Sequence, residues 1–274
     1  MKSIIPKDLS PVQLQSIMQT AIAPRPIALA STIDLNGKIN LSPFSFFNMF
    51  STVPPVLIFS PARRVRDNTT KHTLENILEV PEVVIGNVNY DMVQQVSLAS
   101  TEYDKDTNEF VKSGLTMKDA DLVKPKLIAE SPVNFECKVM EVKHLGNQGG
   151  AGNLILCEVV KIHIQEKFLN ADGNLDQAQL DLVARLGGNW YSRNNSNNLF
   201  EVPKPLVTLG IGLDQLPTAI KNSTIFTGND LGMLANIEEL PIGKYSDDVE
   251  KHKMAKEYLS QNNIEKAWET LKES

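Results

Sequence analysis

Residues 40–73 constrain the fold more than any other part of this chain. They run Asn40-Leu-Ser-Pro-Phe-Ser-Phe-Phe-Asn48, then Ser51-Thr-Val-Pro-Pro-Val-Leu-Ile-Phe-Ser60, then Arg63-Arg64-Val65-Arg66 and Thr69-Thr70-Lys71-His72-Thr73. After the proline pair, Val56–Phe59 is a short apolar run of strand length, which predicts a buried strand rather than a helix. Leu74–Leu78 has helical spacing, with Thr69, Thr70 and Thr73 as caps or first-turn hydroxyls. A helix start exposes unpaired backbone N–H groups and partial positive charge. Arg63, Arg64, Arg66 and Lys71 add formal charge there, so this junction is the best anion site in an otherwise acidic chain, and phosphate fits it. The alternative is a solvated basic loop that caps a helix.

Upstream, Ser42–Asn48 mixes rings that can stack with hydroxyl and amide donors. Together with the apolar strand and the basic turn, it provides the surfaces that a flat, hydrogen-bonding ring with a phosphate tail requires. Phe46 and Phe47 are expected in the core, whereas Ser45 and Asn48 are open between core and ligand.

Composition excludes several other classes. A formal charge of −6 gives no dominant basic face for nucleic acid. No apolar run approaches the roughly 18–20 residues that cross a bilayer. The first residues lack the apolar core of a signal peptide, so a cytoplasmic protein without membrane partners is expected. Cys137 and Cys157, the only cysteines, read as reduced core residues, and the four histidines show no metal-ligand spacing, so no metal is expected.

Along the chain, Ser10-Pro11 opens a helix over 9–19, and strands at 27–33 and 38–44 meet at the Asp34–Gly37 turn. A strand at 82–88, a helix at 91–100 and a polar loop at 101–114 follow; such a loop is either a mobile lid or a packed surface segment. Strands at 134–145 and 153–165 flank Gly146–Gly152, which has neither the spacing nor the following helix of a dinucleotide loop and is expected as a hairpin turn. Arg185-Leu-Gly-Gly-Asn-Trp-Tyr191 closes the barrel-like part, and its paired glycines would let backbone approach a ligand closely; a tight turn with surface aromatics is the alternative. The polar joint Arg193–Asn198 marks a boundary, giving residues 1–195 as one domain and 196–274 as an extension packed on it or on a dimer mate. Two amphipathic helices end the extension, with Val249, Met254, Tyr258, Ile264, Trp268 and Leu271 expected on buried faces.

Pro24–Thr32, Asp34–Gly37, Ser42–Asn48, Pro54-Pro55, Phe59-Ser60 and Lys71–Ile77 follow one another in an order that resembles the flavin reductase-like family of FMN-binding split barrels, flavoredoxins included. The similarity covers roughly residues 10–195 and extends to a longer subset with a C-terminal extension. The family pattern has an acidic residue between the lysine and the threonine, where this chain has His72. The resemblance implies a mainly β fold, a split β-barrel with peripheral helices, that binds FMN as a homodimer. It also implies an FMN-dependent oxidoreductase with NADH or NADPH as donor, in which the cofactor carries the redox chemistry and no nucleophile or acid–base dyad is needed. It puts Ser31, Thr32, Ser45 and Asn48 near the ring, and Ser60, Arg64, Lys71 and Thr73 at the phosphate. Arg185 and Tyr191 fall on the donor side, and Gly187 and Gly188 map with them onto a family element near the flavin. The alternatives are a flavin-binding electron carrier without reductase activity and a split-barrel module that has lost its cofactor.

Overall fold

The computed structural model describes residues 1–206 and 208–273, in two compact units, Met1–Leu199 and Phe200–Ser274. In the first unit, α1 (Pro11–Ala21) starts at Ser10, whose hydroxyl accepts from the Gln13 N–H while the Gln13 side chain accepts from the Ser10 backbone. This reciprocal cap satisfies N–H groups that would otherwise be orphaned. β1 (Ala28–Ile33) and β2 (Ile39–Phe44) form a hairpin. Asp34 Oδ1 accepts from the N–H groups of Asn36 and Lys38, and Gly37 takes a φ of +82° that a side chain would resist.

β3 (Phe47–Thr52) and β4 (Pro55–Phe59) follow, then α2 (His72–Glu79), β5 (Glu82–Asn87), α3 (Val93–Ala99) and α4 (Glu109–Ser113). β6 (Met117–Lys118) pairs with β7 (Leu127–Ile128), and β8 (Val133–His144) and β9 (Asn153–Ile164) make the long hairpin. After α5 (Gln177–Leu180), β10 (Val183–Arg185) pairs with β11 (Tyr191–Arg193). One antiparallel sheet in the order β2-β1-β5-β8-β9-β4-β3 organises this unit. The β10–β11 hairpin is separate from that sheet, contrary to the expectation of a last barrel strand, and is tied to it by bridges from Arg185 to Arg25 and from Leu182 to Asn89.

The sheet is covered on both faces, which explains its unbroken apolar runs. Leu29, Leu41, Val84, Phe110 and Ile128 pack on one side, and Ala28, Ala30, Phe59, Leu74, Ile77, Val83 and Ile85 on the other. The 101–114 loop is a packed segment rather than an open lid at its C-terminal end, where α4 buries Phe110 and Glu109.

Cys137 and Cys157 are free and fully buried in the second of these clusters. Burial pushes the Cys137 thiol up to about 12 and holds that of Cys157 well above its ordinary value. Because the thiolate is the reactive form, both thiols are expected to resist iodoacetamide in the native protein at pH 8 and to react completely in denaturant. Rapid native alkylation, read by intact mass, would mean that the sheet interior opens.

In the second unit, α6 (Thr218–Lys221), α7 (Gly228–Ala235), α8 (Val249–Ser260) and α9 (Ile264–Thr270) enclose Leu216, Ile220, Leu234, Leu259, Trp268 and Leu271. The buried stripe of α8 runs through His252, Ala255 and Leu259, so Val249 and Met254 face solvent instead of the core. No helix among the described residues is long and apolar enough to cross a membrane.

Candidate functional site

The turn between β2 and β3, the segment after β4 and the start of α2 converge on a cleft of about 450 Å³. Ser45, Ser60, Arg64 and Lys71 line it, together with Phe46 and with Gln15 and Gln19 of α1. Phe46 is therefore not a core residue: it is 41% exposed and lies on the cleft wall. Phe47 packs against the sheet interior, as expected. An adjoining apolar cleft of about 420 Å³ shares Gln15, Gln19, Phe46 and Val65 and adds Leu14, Met18 and Ile22.

One end of the main cleft is strongly cationic. Arg64 Nε and Lys71 Nζ donate to Glu102 Oε1 at 2.9 and 3.0 Å, and Arg66 donates to Glu102 Oε2 at 2.6 Å. These donors, the Lys71 hydrogen bond foremost, hold the Glu102 carboxyl at about 2. His72 adds no charge at neutral pH, because burial pushes its imidazole below the ordinary value. The arginine loop is braced by the glycine-rich β8–β9 turn: Arg63 N–H donates to the Ala151 carbonyl at 2.9 Å, and Gly150 N–H to the Arg63 carbonyl at 3.0 Å. At Gly149 a Cβ would stand 3.0 Å from the Val65 carbonyl oxygen, so the close backbone approach needs glycine. Gly146–Gly152 is thus a hairpin turn with a second task, holding the basic loop in place.

Thr73 lies one layer behind the cations. Its hydroxyl donates to Asn40 Oδ1 at 2.7 Å, and Asn40 Nδ2 donates to Glu109 Oε1 at 2.7 Å, so it fixes the first turn of α2 from within. It is not a cap; Lys71 is the N-cap residue, and no side chain caps the helix there. Ser31 and Thr32 are also interior, with Thr32 accepting from Asn76, and neither lines the main cleft. Asn48 is exposed on β3 and accepts from the Met49 N–H at 2.8 Å, outside the cleft.

Arg185 and Tyr191 line a separate cleft of about 460 Å³ with Tyr90, Gln94, Ser97, Asn189 and Arg193, and Ser100 borders both this cleft and the cationic one. The Arg185 guanidinium stacks on Tyr191 at 4.6 Å and that of Arg193 on Tyr90 at 3.6 Å. Gly187 does allow a close approach, but to α1: a Cβ there would stand 2.1 Å from Thr20 Oγ1.

Two contributors escape the sequence reading. Arg25 is buried; its guanidinium donates to the carbonyls of Ile22 at 2.6 Å and Leu186 at 3.0 Å and reaches Ser45 Oγ at 3.4 Å. It ties α1, the β2–β3 turn and the β10–β11 hairpin together, and its only sequence signal is an arginine between two prolines before a buried strand. Glu102 sits in a loop of many charges, where nothing distinguishes it from Asp104 or Asp106. Asp121, Glu136 and His163 bring ligand atoms within 4.8 Å of one another. The Glu136 carboxylate is filled by the N–H groups of Asp121, Leu122 and Val123 and by His163, and Asp121 pairs with Lys161, which makes this a structural anchor.

The family model of the flavin reductase like domain matches residues 20–179. An uncharacterized protein of Aquifex aeolicus is 33% identical over 178 residues, 65% of this chain and 88% of its own length. Among solved structures, nitrilotriacetate monooxygenase component B from Bacillus cereus aligns with a TM-score of 0.69 at 24% identity, over 74% of this chain and 98% of that one. A flavin reductase candidate with a split barrel domain from Shewanella frigidimarina aligns with a TM-score of 0.62 at 25% identity, over 73% and 96%. The sheet and its helices are accordingly a split barrel, and the chain belongs to the flavin reductase like domain family of flavin-related oxidoreductases.

Proposed function

We propose that this chain is an FMN-dependent oxidoreductase that takes reducing equivalents from NADH or NADPH. The observation that carries the reading is the grip of Arg64, Lys71 and Arg66 on one carboxylate at the end of a cleft lined by hydroxyls and an exposed phenylalanine. A carboxylate held in that way is a stand-in for a phosphate, so the residues present fit a phosphorylated flavin better than an unphosphorylated one. Bound FMN supplies the hydride and electron chemistry. Arg64 and Lys71 hold its phosphate, with Ser60 at the same end. Ser45 offers a hydroxyl to the ring, and Phe46 with the apolar side of α1 keeps water from it. Arg25 positions Ser45. Thr73 sets the start of α2 and does not touch the cofactor. Arg185 and Tyr191 border the approach of the donor, a cationic and aromatic wall suited to a phosphate-bearing dinucleotide.

The proposed unit is a homodimer, supported by apolar groups that the sheet leaves exposed, among them Met49, Phe50 and Val53 on the β3–β4 hairpin and Met140 and Ile162 on the long hairpin. Every residue assigned to the flavin precedes residue 196, and residues 196–274 are proposed as a separate extension. The proposed location is the cytoplasm, where reduced nicotinamides are available and free thiols persist.

Anaerobic mixing of the FMN-loaded protein with NADH or NADPH tests this. Bleaching of the flavin absorbance at a rate that sustains turnover is expected with one or both donors. Stable FMN binding without bleaching by either donor would make the chain a flavin-binding electron carrier, and failure to bind FMN would remove the proposal.

A further inference from the structure

Resting on the reading of the cationic cleft as a phosphate site, we propose that Glu102 is an internal phosphate mimic that sets how strongly the protein distinguishes phosphorylated from unphosphorylated flavin. Its two carboxylate oxygens engage three cations, at 2.9 Å from Arg64, 3.0 Å from Lys71 and 2.6 Å from Arg66. A phosphate needs the same donors, and two anions cannot share them without strong repulsion. Binding of FMN therefore exchanges one anion for another, and its affinity reports the difference between the two. Riboflavin lacks the phosphate and binds with the Glu102 contacts intact.

Glu102 is built to leave. Its side chain is 35% exposed, so water can solvate the displaced carboxylate, whereas Lys71 and Arg64 are more enclosed at 29% and 14% and stay with the cleft. The loop that carries it is fastened further along, where Lys105 pairs with Glu75 and Asp106 with Lys38. The side chain can swing out without the loop coming free. At the other end of the loop Ser100 borders both the cationic cleft and the cleft of Arg185 and Tyr191.

Calorimetric titration of FMN and riboflavin into the full chain tests the proposal, with Glu102→Gln, Asp106→Asn and Lys71→Met as variants. Glu102→Gln is expected to tighten FMN about tenfold and to leave riboflavin within about twofold. Asp106→Asn removes the same charge from the same loop and gives up only the exposed pair with Lys38, leaving the Lys105–Glu75 pair and the contacts of Arg64, Arg66 and Lys71 in place, so it should change neither ligand. Unchanged or weaker FMN binding by Glu102→Gln would overturn the proposal, because Glu102 would then organise the cations instead of competing for them. Equal tightening by Glu102→Gln and Asp106→Asn would also overturn it, leaving only a diffuse charge effect. If Lys71→Met fails to weaken FMN relative to riboflavin, the phosphate site itself is misassigned and the proposal falls with it. That outcome is distinguishable, because a sound phosphate site with a passive Glu102 would give selective loss in Lys71→Met and no gain in Glu102→Gln.

Discussion

Lys71→Met is expected to weaken FMN by about ten- to a hundredfold while changing riboflavin by less than about threefold. Hydrogen bonds to charged groups contribute roughly 1.5–3 kcal/mol, and each 1.4 kcal/mol is tenfold in affinity. Lys71 is shielded from most solvent screening, since its side chain is only 29% exposed, and it is the N-cap residue of α2 beside Arg64. Methionine keeps the apolar stem against the cleft wall and removes only the charge. Arg66 gives a built-in contrast: at 71% exposure its guanidinium charge is screened by water, so Arg66→Met should cost FMN no more than about threefold. The fold should barely notice either change, because exposed ion pairs are worth about 0–1 kcal/mol. Equal losses of FMN and riboflavin in Lys71→Met would move the phosphate away from α2.

The elements around this site were readable because local chemistry decides them. Ser10-Pro11 starts α1, Asp34–Gly37 turns the first hairpin, and the short apolar run after Pro55 reads as a buried strand, which β4 is. The cationic end was readable for the same reason, since four basic residues beside a helix start form a local pattern. Three-dimensional partners were not readable. Ser31 and Thr32 carry the residue types that touch ligands, but β1 is the second strand of the sheet and lies between β2 and β5, so both side chains point into packed layers. Phe46 reads as core by composition, but it falls in the tight turn between β2 and β3, where the chain reverses and leaves the ring at the surface. The amphipathic period of α8 was misplaced by about one residue, because its few large apolar side chains are spaced too irregularly to fix the phase. Glu102 and Arg25 matter through groups distant in sequence, and no spacing rule reaches them.

Two buried glutamates illustrate how far partners override residue type. Glu109 and Glu136 are both almost fully enclosed, at 3% and 0% exposure. For Glu109 burial prevails over its donors, from Asn40 and the Leu41 N–H, and its pKa is raised. For Glu136 burial is again the largest single influence, but the N–H groups of Asp121, Leu122 and Val123 together with His163 outweigh it, and its pKa is lowered. The two therefore act oppositely on stability as pH changes. Ionised Glu136 stabilises the fold above its unfolded pKa, and that contribution is lost as pH falls through its lower folded value. Glu109 favours the fold in its protonated form, so its contribution is present below the unfolded pKa and declines as pH rises through its raised folded value.

Glu136→Leu is expected to destabilise the first unit by about 3–5 kcal/mol, the cost of leaving a buried charge network without its central partner. The strand alternation of β8 hides this residue, because Glu136 and the next residue, Cys137, are both buried where the β8–β9 register shifts. The extra residue at that shift is Val160 of β9, and both faces of the sheet are covered, so Cys137 packs in an apolar layer while Glu136 meets the 121–123 loop. Once inside, the carboxylate accepts from Asp121, Leu122 and Val123, at 2.9, 2.6 and 3.1 Å, and so fixes the loop after β6 against the long hairpin. Leucine fills similar space but satisfies none of these donors, and three buried or half-buried N–H groups with the His163 ring then lack a partner. Glu136→Gln retains one acceptor oxygen and should lose about half as much. Urea unfolding of the three proteins at pH 7, followed by tryptophan fluorescence and circular dichroism, gives the comparison. At pH 4 the gap between wild type and Glu136→Gln should narrow, because Glu136 of the unfolded chain then takes up protons while its folded carboxylate is held below the ordinary range. A Glu136→Leu protein within about 1 kcal/mol of wild type would show that the 121–123 loop is held by its apolar contacts, with Val123 alone anchoring it against the sheet.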